Sequence, residues 1–117
     1  ISACLVGSEM CIRDSYMTHR SWVGKNGELV SQPTLTVEEL RAIVDETHGW
    51  GKKVACHAYG GIGLHRALDG GCDSIEHGLD LDDAAISQML KQGTWYVPTI
   101  SAYYHDWAPR GHSRRTA

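Results

Sequence analysis

The segment VACHAYGG, at residues 54–61, is a short apolar run that ends in His57 and is followed by glycines. A second run, SIEHG at residues 74–78, ends in the same way at His77. A short run of this kind, bounded by glycines, is typical of a buried β-strand. The two segments therefore predict two strands, each with a histidine at its carboxyl end.

Helical patterns alternate with these strands. Thr36 and Glu39 have the spacing of a capping box, and Asp82 or Asp83 can cap a later helix. The predicted apolar faces are Leu40, Ile43, Val44 and Thr47, then Leu64, Ala67 and Leu68, then Ile86, Met89 and Leu90. TWYVPTI, at residues 94–100, predicts a third strand. This α/β alternation indicates a parallel sheet with right-handed crossovers, which fits an open doubly wound sheet or part of a (β/α)8 barrel.

The two histidines occupy equivalent places in successive units. Ligands and catalytic groups gather at the carboxyl ends of parallel strands. Because neighbouring strands lie about 4.8 Å apart, two imidazoles at this edge can converge on one ion. A single histidine is more often a core residue, but the matching positions of His57 and His77 favour metal binding. Two ligands do not complete a catalytic metal site, so we expect further ligands outside this chain.

The first residues have a different origin in our interpretation. LVGSEMCIRDS, at residues 5–15, matches the translation of a transposase sequencing adapter in one reading frame. We therefore expect residues 1–15 to be adapter-derived and to lie outside the fold. The natural sequence is expected to begin near Tyr16, with its upstream part removed.

Composition excludes some classes of function. The net charge is −3, and the small basic cluster in the tail lacks interleaved aromatic residues, so we expect no nucleic-acid partner. No run approaches the about 18 consecutive apolar residues of a membrane span, so we expect no membrane partner. Cys56 and Cys72 lie in apolar segments without metal or disulfide spacing, which predicts small buried hydrophobic residues.

A family resemblance rests on the two histidine segments. VACHAYGGIGLHRALDGGCDSIEHG, followed by DDAAISQMLKQGTWYVPT, resembles the middle of an amidohydrolase-superfamily enzyme. The most similar branch contains imidazolonepropionase-like and prolidase-like (Xaa-Pro dipeptidase) hydrolases. The resemblance runs from about residue 16 to 109 and implies a fragment of a TIM (β/α)8 barrel, covering about strands five to seven. We expect residues 16–109 to form this partial metal-dependent hydrolase barrel, with residues 110–117 as an uncertain tail.

The resemblance also implies a site. It makes His57 and His77 ligands of a divalent metal, with zinc as the expected ion and one or two ions in the parent protein. The other ligands of the family are a His-x-His on strand one, a carboxylated lysine on strand four and an aspartate on strand eight. None has a counterpart here, and the lysine should lie just before Tyr16. The implied reaction is hydrolysis of a C–N bond in a small-molecule or dipeptide substrate by metal-activated water, and we expect the fragment itself to be inactive.

Other residues have weaker assignments. Tyr59, Tyr103 and Tyr104 follow strand ends and are candidates for substrate binding. Glu76 alternates with His77, so we expect it to point away from the barrel axis and to make a structural hydrogen bond. The segment after the missing strand four, which contains His19, Arg20 and Trp22, is expected to form a lid or an exposed loop. His48 and His65 are expected on helix surfaces.

An alternative function rests on GGIG at residues 60–63. These glycines follow a strand and open a helix, where dinucleotide-binding glycines lie. The fingerprint needs Gly or Ala at position 66, which is Arg66, so it is incomplete. The alternative is therefore a nucleotide- or small-molecule-binding α/β module without hydrolase activity.

Overall fold

The computed structural model of the chain describes residues 12–100. Its strands are β1 (Ile12–Tyr16), β2 (Thr18–Val23), β3 (Leu29–Pro33), β4 (Lys53–Gly60), β5 (Ser74–Asp80) and β6 (Trp95–Val97). Its helices are α1 (Val37–Gly49), α2 (Gly61–Gly70) and α3 (Asp83–Gln92). The strands at the two histidine segments and the helices between them lie where the sequence pattern predicts them.

A parallel sheet organises these elements. Its strand order is β1-β4-β5-β6, and each neighbouring pair is parallel. β2 and β3 form a separate antiparallel hairpin between β1 and α1. The hairpin was not predicted, because its segment lacks a strong apolar alternation. It places His19, Arg20 and Trp22 on an exposed strand, so this segment is not an irregular loop.

The first strand includes residues that we assigned to the adapter. Residues 12–15 pair with β4 through the main chain, from Ile12 opposite Lys53 to Ser15 opposite Cys56. The structure therefore differs here from the expectation that residues 1–15 lie outside the fold. Pairing uses N–H and C=O groups that every residue except proline has, so a free strand edge accepts extended chain of any origin. The adapter origin of these residues stays a prediction.

The hydrophobic core lies between the sheet and the three helices. The strand side chains that point towards the helices are buried, as are apolar residues from each helix; the core comprises Met17, Leu40, Val44, Val54, Cys56, Ala58, Leu64, Ala67, Leu68, Cys72, Ile75, Ala85 and Met89. Since all three helices contribute to one core on one face, this arrangement fits a barrel wall rather than a sheet covered on both faces. We call the opposite face, which points to the axis in a barrel, the inner face.

Local signals explain the helix ends. Thr36 and Glu39 form the predicted capping box at the start of α1, with the Glu39 amide donating to Thr36 Oγ1 at 3.2 Å. Asp82 caps α3 by accepting from the Ala85 amide at 2.7 Å. α1 and α2 approach closely at Gly70, where an added Cβ would lie 2.4 Å from Leu40 Cδ2. No helix within residues 12–100 is long and apolar enough to cross a membrane.

The predicted apolar face of α3 is only partly buried. Met89 is buried as expected, whereas Ile86 is 42% exposed and Leu90 is 80% exposed. This part of the prediction is wrong for the described residues. In a barrel each helix packs against helices on both sides, and α3 has a described neighbour only on the α2 side.

Asp73 joins the start of β4 to the end of α1. Its carboxylate accepts from the Val54 amide at 2.8 Å and lies 2.7 Å from His48 Nε2 and 3.4 Å from Lys53 Nζ. His48 is therefore an exposed helix residue, as predicted, that also holds this carboxylate. These contacts lie at the amino ends of the strands, opposite the edge where the histidines lie, and they have a structural role.

Candidate metal site at the strand ends

The structure brings His57 and His77 together. His57 lies near the end of β4 and His77 near the end of β5, and their ring centroids are 4.5 Å apart with the planes 73° from parallel. The strand pairing predicted from the sequence thus places the two imidazoles side by side at one edge of the sheet.

The side chains reach this position in different ways. In the β4–β5 register, His57 lies opposite Glu76, and His77 lies opposite Ala58, which is buried on the helix side. Simple alternation would therefore point His77 into the core. His77 instead has a φ of 74°, in the left-handed region, and the register shifts between Ala58 and Gly60. This bulge turns the imidazole towards His57.

Glu76 therefore lies on the inner face, and the expectation that it points away from the axis was wrong. Its side chain lines an inner-face cavity of about 590 Å³ together with Asp14 and Ala55. The predicted structural hydrogen bond is present, since Ser74 Oγ donates to Glu76 Oε1 at 2.7 Å. Gly78, directly after His77, is the residue in the sequence that indicates a break in the strand alternation. Gly78 also has a positive φ, of 49°.

Aromatic rings surround the histidine pair. Tyr16, at the end of β1, stacks on His57 with ring centroids 4.1 Å apart and 11° between the planes. The Tyr59 ring lies 4.7 Å from the His57 ring and 5.5 Å from the His77 ring. Tyr59, a candidate substrate residue, thus lies beside both imidazoles. Tyr16 was not identified from the sequence, because nothing local indicates which residue of β1 pairs with His57.

Both imidazoles favour the neutral state. Burial lowers the pKa of His57, and the neighbouring His77 lowers it further. Burial also lowers the pKa of His77, although the Glu76 carboxylate opposes this shift. A neutral imidazole has one nitrogen lone pair for a metal, whereas a protonated imidazole has none.

The hydrogen bonding of the pair fits metal ligands. His57 Nε2 is buried and has no hydrogen-bond partner among residues 12–100. Buried polar atoms are normally paired, so an atom of this kind needs an explanation, and a bound cation provides one. His77 Nδ1 lies 2.6 Å from Thr99 Oγ1. Within the described part of the chain, no group of three or more His, Cys, Asp or Glu side chains is placed to hold a metal ion.

Cys56 and Cys72 lie in the core on the helix side of the sheet and form a disulfide, with their Cα atoms 6.1 Å apart. Both are buried, as predicted, but the expectation of no disulfide was wrong. The Cα separation is within the range that a disulfide spans. Sequence spacing did not indicate the pair, because only the packing of β4 beside the start of β5 brings the two residues together.

Gly63, in the first turn of α2, is closely packed. A Cβ on Gly63 would lie 2.4 Å from Thr18 Cγ2 and 2.9 Å from the Met17 carbonyl oxygen. A Cβ on Gly61 would lie 3.6 Å from the Leu29 carbonyl oxygen. The start of α2 therefore packs against the chain around β2 and β3, whereas a dinucleotide site needs room there for a pyrophosphate. The candidates Tyr103 and Tyr104 lie outside the described residues, and their role stays a prediction.

The chain is similar in sequence to parts of longer known proteins. No family model matches the chain. An uncharacterized protein of Mycobacterium tuberculosis is 35% identical over 80 residues, which are 68% of this chain and 21% of that protein. Ochratoxinase of Aspergillus niger is 36% identical over 64 residues, which are 55% of this chain and 13% of that enzyme.

Parts of solved structures share the fold of the chain. A Xaa-Pro dipeptidase with bound methionine in the active site has a TM-score of 0.64 and 42% identity, over 76% of this chain and 21% of that chain. The A. niger ochratoxinase structure has a TM-score of 0.68 and 26% identity, over 84% of this chain and 22% of that chain. The chain thus spans about a fifth of these structures. These similarities confirm an α/β fold that corresponds to part of a (β/α)8 barrel, and they support the resemblance to the amidohydrolase superfamily.

Proposed function

We propose that this chain is part of a metal-dependent amidohydrolase of the imidazolonepropionase-like and prolidase-like branch. The substrate would contain a carbon–nitrogen bond in an amide, a dipeptide or a cyclic amide. The main support is the convergence of His57 and His77, with His57 Nε2 buried and without a partner among residues 12–100. The similarity to proteins named Xaa-Pro dipeptidase and ochratoxinase supports the same reaction class.

His57 and His77 would hold the cation, and zinc is the expected ion because borderline metals prefer imidazole nitrogen. When bound, a divalent cation supplies the positive charge that lowers the pKa of a water molecule and polarises a carbonyl. In the overall hydrolysis, the water oxygen bonds to the carbonyl carbon, the C–N bond breaks, and the leaving nitrogen takes a proton.

The described residues would position the ligands and the substrate. Burial keeps both imidazoles neutral, so that each offers a lone pair at neutral pH. Tyr16 stacks on His57 and restricts the rotation of its ring. Tyr59 lies beside both histidines and would contact the substrate, together with Tyr103 and Tyr104.

By itself the chain would not complete this reaction. The resemblance places the other metal ligands and the proton-transferring aspartate on strands one, four and eight of the parent barrel. Two imidazoles bind a cation weakly in comparison with the three or four protein ligands of known zinc sites. The activity is therefore proposed for the longer natural protein, in which residues keep the numbers of this chain.

The test replaces each proposed ligand in the longer protein. We expect His57→Ala and His77→Ala each to lower the zinc content, and to lower hydrolysis of a Xaa-Pro dipeptide at least about 100-fold, because even the residues that support metal ligands contribute about 10–100-fold to activity. Zinc is measured by mass spectrometry of the metal, and hydrolysis by release of proline. His65→Ala is the control, since His65 lies on α2 and is bonded to Asp82 at 2.7 Å. Normal zinc content in either ligand variant would remove the assignment.

The alternative, a nucleotide-binding module, is tested with the same samples. It predicts binding of a dinucleotide by calorimetry without any zinc. The close packing at Gly63 argues against this outcome.

A further inference from the structure

The side chains of His77 and Thr99 contact each other. Thr99 Oγ1 lies 2.6 Å from His77 Nδ1, in a partly buried position. The two residues are 22 positions apart in the chain: His77 lies near the end of β5, and Thr99 lies two residues after the neighbouring strand β6 ends. The contact therefore depends on the tertiary structure and not on local sequence.

Both partners have unusual backbones. His77 has a φ of 74° and Thr99 a φ of 50°, and these are the non-glycine residues with positive φ among residues 12–100. A β-branched residue such as threonine rarely adopts this conformation. Such strain persists where the surrounding structure holds it in place, and it is concentrated at functional sites.

A second contact, made by β6 itself, holds the residue after His77. Tyr96 Oη donates to the Gly78 carbonyl oxygen at 3.1 Å. β6 and the residues that follow it therefore hold both His77 and its neighbour. Thr99 contacts the His77 side chain, and Tyr96 bonds to the main chain of Gly78.

The contact with Thr99 can determine which ring nitrogen of the neutral His77 imidazole carries the hydrogen. One ring nitrogen bears the hydrogen, and the other has the lone pair. If the Thr99 hydroxyl accepts from Nδ1–H, the lone pair lies on Nε2 and is available to a cation. Histidines that bind metals usually donate their second N–H to an acceptor in this way, which fixes both the tautomer and the ring orientation.

We infer that Thr99 is a positioning residue for His77. The Thr99 hydroxyl accepts the Nδ1 hydrogen of His77 and so selects the tautomer whose lone pair lies on Nε2, the nitrogen that would bind the cation. This inference rests on the proposed metal site for its function. The tautomer itself is a property of the metal-free protein and can be measured separately.

The experiment uses the longer protein and three variants. Thr99→Val keeps the β-branched shape and removes the hydroxyl, while Thr99→Ser keeps the hydroxyl. Thr94→Val is the matched control, because Thr94 precedes β6 and lines a groove with Leu81 and Tyr96 away from His77. The tautomer of His77 is measured by long-range ¹H–¹⁵N correlation spectra of the metal-free protein, and zinc affinity by competition with a chelator.

We expect the parent, Thr99→Ser and Thr94→Val to show His77 protonated on Nδ1. In Thr99→Val the two tautomers should mix, and zinc should bind about 10–100-fold more weakly. A parent protein with the hydrogen on Nε2, or a Thr99→Val variant with unchanged tautomer and zinc affinity, would overturn the inference. If Thr99→Val does not fold, the tautomers of the parent and Thr99→Ser decide. If no variant binds zinc, the proposed function fails, while the tautomer result still tests Thr99.

Discussion

The Tyr16 ring stacks on the His57 imidazole, with centroids 4.1 Å apart and 11° between the planes. The two residues are direct partners in the parallel β1–β4 register, so their side chains share the inner face. Asp14, two residues before Tyr16, pairs with Ala55 and lines the cavity on that same face. Ser15, between them, is buried on the helix side. Position 14 is therefore the inner-face position of β1 nearest to Tyr16.

This geometry predicts the position of the lysine that is expected just before Tyr16 in the natural gene. We expect lysine at position 14 in place of Asp14, because the carboxylated lysine implied by the family resemblance must point into the barrel. Independent sequencing reads of the source gene across codons 1–16 check this expectation. Reads in which residues 5–15 are genomic would contradict the adapter assignment. A lysine at position 15 would contradict the register, since that side chain would point towards the helices.

A second prediction concerns Gly78, which follows His77. An added Cβ there would lie 2.7 Å from the Tyr96 ring and 3.2 Å from Leu81 Cδ2, and the φ of 49° disfavours any side chain. Gly93→Ala is a matched control, because Gly93 has a φ of 69° with nothing within 4 Å of the added Cβ.

We expect Gly93→Ala to lower the free energy of unfolding by about 1–2 kcal/mol through the left-handed backbone alone. Gly78→Ala should cost at least about 1 kcal/mol more because of crowding, and it should also weaken zinc binding by moving His77. Urea unfolding and zinc competition measure the two effects in the longer protein. Equal losses of stability in the two variants would show that the packing around Gly78 is not tight.

A third prediction follows from Asp73. Burial raises the pKa of its carboxyl, but hydrogen bonds from His48 and the Val54 amide lower it more, so the pKa lies below the ordinary value of 3.8. A carboxyl with a lowered pKa in the folded state stabilises the fold above its unfolded-state pKa. This stabilisation is lost as the pH falls below about 3.8 towards the folded-state value.

We therefore expect Asp73→Ala to lower the free energy of unfolding at pH 7 by about 1–3 kcal/mol, because the buried Val54 amide loses its acceptor. The difference from the parent should shrink as the pH falls below 3.8. Urea unfolding between neutral and acidic pH measures this, with Asp45→Ala on the exposed side of α1 as the control. A difference that stays constant with pH would rule out the carboxylate as the cause.

The last prediction concerns the isolated chain. Leu90 is 80% exposed and Trp95 is 75% exposed, and the inner face of the sheet is open to solvent at its cavity. Each Å² of apolar surface left in water forfeits about 25 cal/mol, against a typical net stability of about 5–15 kcal/mol. We expect the isolated chain to aggregate or to unfold without cooperativity, and to show no dipeptidase turnover with added zinc. A monomeric sample that melts cooperatively and hydrolyses an amide would contradict this expectation.

Several features follow from the sequence alone. Local signals indicate where the helices begin and end: the capping box at Thr36, the cap at Asp82 and a glycine at the end of each helix. The equivalent positions of His57 and His77 in successive units predicted that they would meet at one edge of the sheet. These signals are local, because capping, helical periodicity and strand ends depend on residues a few positions apart in the chain.

The direction of the site side chains needed the tertiary structure. Alternation alone predicted that Glu76 points away from the barrel axis, whereas the register with β4 places it on the inner face. The bulge at His77 then turns the His77 imidazole towards His57. Neighbours distant in sequence likewise determine the contact of His77 with Thr99 and the pairing of Cys56 with Cys72. Shifting a strand by one residue moves every side chain to the other face, so this information lies in the pairing of strands and not in any one segment.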